Sequence, residues 1–204
     1  MDVAAAPEPT IDLGGQVALV TGASSGLGRR FAVLLAANGA RVVAAGRRLE
    51  RLADVTQEIT DAGGTCTPLQ LDVTDADALA EAVSTIERQL GPVQILVNNA
   101  GIPDAQYATK MPLELIDQVL DTNLRAPYVL SCEVARRLIE LKLPGRMVNI
   151  SSVGGFHYSG GGAALYSITK AGVNRLTETL AVEWSRFGIN VNAIAPGLFA
   201  SEMS

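Results

Sequence analysis

The sequence predicts an α/β fold in which a doubly wound parallel sheet carries helices on both faces, giving three layers. Three observations lead to this prediction. Short apolar runs bounded by glycines recur along the chain, as in strands that are buried on both faces. Segments with helical periodicity separate these runs, so helical crossovers join parallel strands. A length of 204 residues with 48% hydrophobic residues favours one domain with a sizeable core.

Strands and helices alternate along the chain. The predicted strands are residues 17–20, 41–45, 67–71, 93–97, 147–150 and 189–194. The predicted helices are residues 27–37, 49–61, 75–90, 113–123, 126–142 and 164–186. Glycine or proline follows most of these helices, and both residue types favour helix ends and turns.

Composition and charge exclude several classes of protein. A formal net charge of −5 disfavours binding to nucleic acid or to an anionic membrane surface. The two cysteines, Cys66 and Cys132, are too few for a disulfide scaffold and do not have the spacing of a metal or redox motif. The chain has one histidine, His157, which makes a histidine-based zinc site improbable, and we predict no metal.

The first residues of the chain lack the features of a targeting peptide. They contain neither a basic segment nor a long apolar segment, and we expect a cytoplasmic protein with no membrane association. Residues 1–14 are predicted to be a flexible segment, and residues 15–204 are predicted to form the single domain.

A glycine-rich turn lies where the first strand meets the first helix. Glycines there allow the backbone to approach a bulky anion, and the free N–H groups of the first helical turn point at it. The spacing GxxxGxG at this position therefore predicts binding of a dinucleotide pyrophosphate, although such a turn also serves simple packing of helix against strand. The residues concerned are Gly22, Ser24, Ser25, Gly26, Leu27 and Gly28.

The residues after the second strand indicate which dinucleotide binds. A carboxylate there would accept from the ribose 2′-hydroxyl of NAD, whereas arginine suits a 2′-phosphate. The strand is followed by Arg47 and Arg48 and by no acid, so NADP(H) is the preferred cofactor and NAD(H) the alternative. Arg47 is the predicted main partner of the 2′-phosphate, and Arg48 is a helper. The competing interpretation is that both arginines are solvated residues that open the next helix.

Polar residues also follow the third and fourth strands. Asp72 could accept from the adenine amino group or lie at the start of a helix, for which Asp75 is the better cap. After the fourth strand, the segment Asn98-Asn99-Ala100-Gly101 could line the adenine-ribose side of a cleft and hold the strand ends together, or it could form a simple turn.

The long sixth helix supplies a proton-transfer pair. Tyr166 and Lys170 are four residues apart and therefore share a helix face. An ammonium group close to a phenol favours the phenolate, so the pair could exchange a proton with an alcohol or ketone near neutral pH. An exposed pair without function is the alternative.

A hydroxyl at the end of the fifth strand would lie beside this pair. Ser152, chosen over Ser151, could donate to a substrate oxygen and stabilise developing charge, or it could be a turn or cap residue. His157, in the following loop, could contact substrate or have no special role.

Taken together, these motifs resemble the classical short-chain dehydrogenase/reductase family, over the chain from Gln16 to the last residue. The resemblance implies a Rossmann-type fold. The matching motifs are Thr21-Gly22-x-x-x-Gly26-x-Gly28, Asn98-Asn99-Ala100-Gly101, Asn123, Ser152, Tyr166-x-x-x-Lys170 and Pro196-Gly197. Only the resemblance, and not the residue pattern, selects Asn123.

The resemblance also implies catalytic roles. Tyr166 would be the general acid/base, and Lys170 would assist it and bind the nicotinamide ribose. Ser152 would orient the substrate carbonyl, and Asn123 would anchor the water of a proton relay.

Further roles concern the cofactor. Asp72 and Val73 would contact adenine, and Asn99 would contact the ribose on the adenine side. Pro196 and Gly197 would border the nicotinamide, and Ser201 takes the position where a threonine commonly meets its carboxamide.

The chain departs from the family pattern in two places. The loop between Ser152 and Tyr166 is one residue longer than is usual, and Gly160, Gly161 and Gly162 could absorb that residue. Family members commonly extend to about 250 residues, so we expect the C-terminal strand and the helices that cover the substrate to be absent here.

The expected activity is therefore hydride transfer between NADP(H) and a secondary alcohol or ketone. A 3-oxoacyl-carrier-protein reductase and a sugar-alcohol dehydrogenase are alternatives, and a truncated or non-catalytic nucleotide-binding protein is the alternative from another class. The family commonly assembles as homodimers or homotetramers, which we expect here too.

Overall fold

A computed structural model describes residues 11–158 and 160–197. Within them, six parallel strands form one sheet in the order β3-β2-β1-β4-β5-β6, which confirms the predicted fold class. The strands are β1 (Val17–Thr21), β2 (Arg41–Gly46), β3 (Thr65–Gln70), β4 (Val93–Asn98), β5 (Gly145–Ile150) and β6 (Ile189–Ile194). The strand order reverses between β1 and β4, and a crevice opens at such a point beyond the carboxyl ends of the strands.

Along the chain, the helices alternate with the strands, as the sequence predicts. They are α1 (Gly26–Ala37), α2 (Leu49–Asp61), α3 (Ala76–Leu90), α4 (Leu113–Leu120), α5 (Ala126–Leu141) and α6 (Ala164–Trp184). A π-helical turn, Asp121–Arg125, joins α4 to α5 without a break. Short 3-10 turns lie at Ala108–Lys110, Val153–Gly155 and Ser185–Phe187. None of the helices in the described ranges is both long and apolar enough to span a membrane.

Alternate residues of the central strands pack into two separate cores. Val17 and Leu19 of β1 belong to a cluster with residues of α3, α5 and α6. Ala18 and Val20 belong to a second cluster with residues of α1 and α2. Successive side chains of a strand point to opposite faces, so the continuous apolar run of β1 fills both cores at once.

Several element boundaries differ from the prediction by one to three residues. β5 begins at Gly145, which the sequence assigns to a helix stop. A Cβ there would lie 2.4 Å from Leu138 Cδ1, so a larger residue at the start of the strand would require the Leu138 side chain of α5 to shift. Near the start of the described residues, Leu13 is buried and its N–H donates to the Asn38 carbonyl at 2.8 Å, so this residue packs against the domain.

Candidate active site

A cleft of about 580 Å³ lies along the carboxyl ends of all six strands. The predicted site residues that line it are Gly22, Ser24, Ser25, Gly26, Leu27, Arg47, Arg48, Asp72, Val73, Asn99, Ala100, Gly101, Ser152, Tyr166, Lys170, Pro196 and Gly197. Gly28 and Asn123 do not line the cleft, and Ser201 lies outside the described residues. The fold therefore brings together segments that are far apart in the sequence.

Two glycines of the glycine-rich turn, Gly22 and Gly28, are packed too closely to carry a side chain. Gly22 has φ +65°, and a Cβ there would lie 2.9 Å from both Ala100 Cα and Asn99 Nδ2. A Cβ on Gly28 would lie 2.3 Å from the Gly22 carbonyl oxygen, so Gly28 lets α1 pack against the turn instead of lining the cleft. Ser25, at the N-cap, makes no side-chain capping hydrogen bond, so the first N–H groups of α1 face the cleft without that acceptor. These features fit a bound pyrophosphate.

The two arginines that follow β2 lie next to the glycine-rich turn. Arg48 Nη2 donates to Ser24 Oγ at 3.0 Å and to Ser25 Oγ at 3.2 Å. Arg48 therefore bridges the end of β2 and the glycine-rich turn. With Arg47 beside it, this end of the cleft presents two guanidinium groups, which suit a phosphate.

The structure separates the two aspartates after β3. Asp75 caps α3, accepting from the N–H groups of Asp77 and Ala78 at 3.1 and 3.0 Å. Asp72 accepts from Thr74 N–H at 3.0 Å, and this hydrogen bond lowers the pKa of the Asp72 carboxyl. Asp72 lines the cleft and does not cap the helix.

Lys170 is a buried cation at the opposite end of the cleft. Its side chain is held by a hydrogen bond from Nζ to the Ile150 carbonyl at 2.7 Å. Burial lowers the pKa of the Lys170 ammonium to about 8. The Nζ atom lies 5.6 Å from the centre of the Tyr166 ring, on the same face of α6.

The two serines after β5 have different contacts. Ser151 is buried, and its hydroxyl donates to the Lys170 carbonyl at 3.1 Å, which joins β5 to α6. Ser152 Oγ accepts from Gly154 N–H at 3.1 Å and lines the cleft. A Cβ on Gly154 would lie 3.4 Å from Ser152 Oγ and 3.9 Å from Tyr166 Cε1, so the hydroxyl and the ring border one small space.

Asn123 lies behind this space in the π-helical turn. Its Oδ1 accepts from Ile102 N–H at 2.8 Å, and its Nδ2 donates to the Ile102 carbonyl at 2.9 Å. A Cβ on Gly101 would lie 3.4 Å from Asn123 Oδ1 and 3.6 Å from Lys170 Nζ. Asn123 therefore fixes the loop after β4 next to the buried cation.

A buried polar chain lies beneath the cleft, and of its members the sequence indicated only Asn98 as a residue that could hold strand ends together. Asn98 Nδ2 donates to Asn149 Oδ1 at 2.8 Å, and Asn149 Nδ2 donates to Thr177 Oγ1 at 2.9 Å. These hydrogen bonds join β4, β5 and α6. The presence of asparagine near the ends of two apolar strands could have indicated these hydrogen bonds. A second omission, Asp104, lies in a loop without any periodic pattern.

Comparisons with known proteins identify the family of the chain. The family model for the short chain dehydrogenases matches residues 16–204. Gluconate 5-dehydrogenase of Gluconobacter oxydans is 40% identical over 94% of this chain and 74% of that protein. The 3-oxoacyl-[acyl-carrier-protein] reductase of Synechocystis sp. is 39% identical over 94% of this chain and 77% of that protein. The structure of a metagenomic short-chain oxidoreductase in complex with NADP has a TM-score of 0.86 at 35% identity, covering 94% of this chain and 85% of that one.

The chain belongs to the short-chain dehydrogenase/reductase family. It is an oxidoreductase that uses a nicotinamide cofactor and acts on alcohol or ketone groups.

Proposed function

We propose that this oxidoreductase prefers NADP(H) and interconverts a secondary alcohol and a ketone, with Tyr166 as the general acid/base. The observation that carries the proposal is the distribution of charge in the cleft. Two arginines lie at one end, and the Lys170 ammonium lies 5.6 Å from the Tyr166 ring at the other.

The cofactor would extend along the cleft between these ends. Arg47 and Arg48 would hold the 2′-phosphate, and the glycine-rich turn would hold the pyrophosphate. Asp72, Val73 and Asn99 would contact the adenosine. Lys170, Pro196 and Gly197 would lie at the nicotinamide end. When bound, the nicotinamide supplies the hydride acceptor or donor.

The side chains of the chain itself would move the proton. In ketone reduction, the Tyr166 hydroxyl donates its proton to the substrate oxygen, and the Lys170 ammonium stabilises the phenolate that remains. The Ser152 hydroxyl donates a hydrogen bond to the same oxygen and holds the carbonyl toward the ring. Asn123 keeps the loop at Ile102 in place behind Lys170 and would anchor the relay water.

Turnover with ketones tests this function. NADPH consumption should accompany reduction of at least one ketone in a panel that includes 3-oxoacyl thioesters and keto-sugar acids, because both types appear among the named relatives. NADPH binding without turnover of any ketone would instead favour a non-catalytic nucleotide-binding protein.

The oligomeric state is a separate expectation. Sedimentation of the same preparation, at an ionic strength close to that of the cytoplasm, should show a homodimer or a homotetramer.

Replacing Arg47 tests the cofactor preference. We expect Arg47→Asp to raise the Kd for NADPH roughly 10- to 100-fold, because a charged hydrogen bond is lost and a repulsive carboxylate is gained. The Kd for NADH should change far less, as measured by fluorescence titration.

Arg30→Asp is the matched control for this variant. Arg30 is exposed on α1 and does not line the cleft, so the variant makes the same change in net charge away from the site. An equal loss of NADPH affinity in both variants, or an equal loss of NADH affinity with Arg47→Asp, would refute the 2′-phosphate assignment.

A further inference from the structure

The N-terminus of α6, which carries Tyr166, has no local cap. Its N-cap residue, Ala163, has φ +64° and makes no side-chain capping hydrogen bond. The residues before it, Gly160, Gly161 and Gly162, all have positive φ and offer no side chain. The first N–H groups of a helix have no partner inside the helix, so an uncapped first turn opens readily. Tyr166 is the third residue of α6 and lies in this turn.

A distant carboxylate supplies the missing acceptor. Asp104 Oδ2 accepts from the Tyr166 backbone N–H at 2.9 Å, although the two residues are 62 positions apart in the sequence. Asp104 is only 1% exposed, and its Oδ1 has no hydrogen-bond partner in the described part of the chain. Burying a carboxylate is costly, and the dipole of α6 offsets only part of that cost. Because of this free-energy cost, a buried carboxylate is not expected at a position whose only role is packing.

The loop that carries Asp104 is itself held in place. Asn123 binds both the N–H and the carbonyl of Ile102, two residues before Asp104. A Cβ on Gly162 would lie 3.5 Å from the Gln106 carbonyl oxygen, so the loop packs against the glycine run before α6. Asp104 thus connects a fixed part of the structure to the turn that holds the phenol.

We propose that Asp104 is a positioning residue for the reaction, acting through the backbone of Tyr166. By holding the first turn of α6 closed, it sets the phenol against Ser152 and Lys170. This inference rests on the proposed role of Tyr166, because Asp104 itself does not line the cleft.

Three variants test the proposal. Asp104→Ala should lower kcat per NADPH-binding site roughly 10- to 100-fold, because small displacements of a reacting group have effects of this size. The Kd of this variant for NADPH should stay within about threefold of the wild-type value. Asp104→Asn should retain kcat within about threefold, because the amide oxygen still accepts the hydrogen bond. Asp75→Ala, which removes an equivalent cap from α3, should leave kcat unchanged.

Backbone amide exchange provides a readout that needs neither substrate nor the alanine variant. In the wild-type protein, the Tyr166 amide should exchange at least about tenfold more slowly than the Leu165 amide, because only the former donates to the buried carboxylate. Equal exchange of the two amides would overturn the proposal, even if Asp104→Ala fails to fold. An unchanged kcat in Asp104→Ala, or an equal loss in Asp104→Asn, would also overturn it. Failure of the function itself would appear separately, as wild-type protein that reduces no ketone.

Discussion

Tyr166→Phe is expected to lower kcat for ketone reduction by roughly 10²- to 10⁴-fold, the usual contribution of a general acid/base. The substitution removes the hydroxyl of a ring whose centre lies 5.6 Å from Lys170 Nζ and which borders the same small space as the Ser152 side chain. The ring itself remains, so the Kd for NADPH should stay within about threefold of the wild-type value. Steady-state kinetics and fluorescence titration with NADPH measure the two quantities.

Tyr128→Phe is the matched control. Tyr128 is exposed on α5 and does not line the cleft, so removal of its hydroxyl should leave kcat unchanged. If Tyr166→Phe kept most of the wild-type kcat, another group would have to supply the proton, and the proposed mechanism would be wrong.

Lys170 should make the stability of the nucleotide-free protein depend on pH. Burial lowers the pKa of its ammonium from 10.5 to about 8 in the folded state. Between these two pH values the unfolded chain binds the proton and the folded chain does not, so stability rises with pH across this interval. The full gain, relative to a variant that lacks the amine, is roughly 3 kcal/mol.

The test compares wild type with Lys170→Met by denaturant unfolding. The difference in free energy of unfolding, wild type minus variant, should increase by roughly 3 kcal/mol from about pH 7 to about pH 10.5. Lys110→Met removes an exposed lysine outside the cleft and should show no comparable increase. Parallel curves for wild type and Lys170→Met would mean that the ammonium is not desolvated in the folded protein.

The sequence was sufficient to predict the fold class and most of the strands. Apolar runs such as Val17–Thr21 are typical of strands that are buried on both faces of a parallel sheet, and glycines mark their ends. Gly145 shows where this reasoning stops. The sequence marks it as a helix stop, but its place in β5 depends on the Leu138 side chain of a helix packed above it.

The site was predictable where function depends on local spacing. The glycine-rich turn and the Tyr166–Lys170 pair are contained in short segments, and the structure places both around one cleft. The role of Arg48 as a helper in binding a phosphate stays a prediction from the sequence. Its hydrogen bonds to Ser24 and Ser25 could not be predicted, because they depend on how β1 and β2 pair. Asp104 meets Tyr166 only through the tertiary fold, and no pattern in its loop indicates that contact.

Since the cleft receives residues from the ends of all six strands, a nucleotide that fills it touches both halves of the sheet. Such a ligand has affinity for the completed fold and little for a chain in which either half has opened. By mass action, the free energy of unfolding then increases with the cofactor concentration. The increase is about 2.7 kcal/mol when the free nucleotide is at a hundred times its Kd. The lifetime of this enzyme would thus follow the size of the nucleotide pool around it.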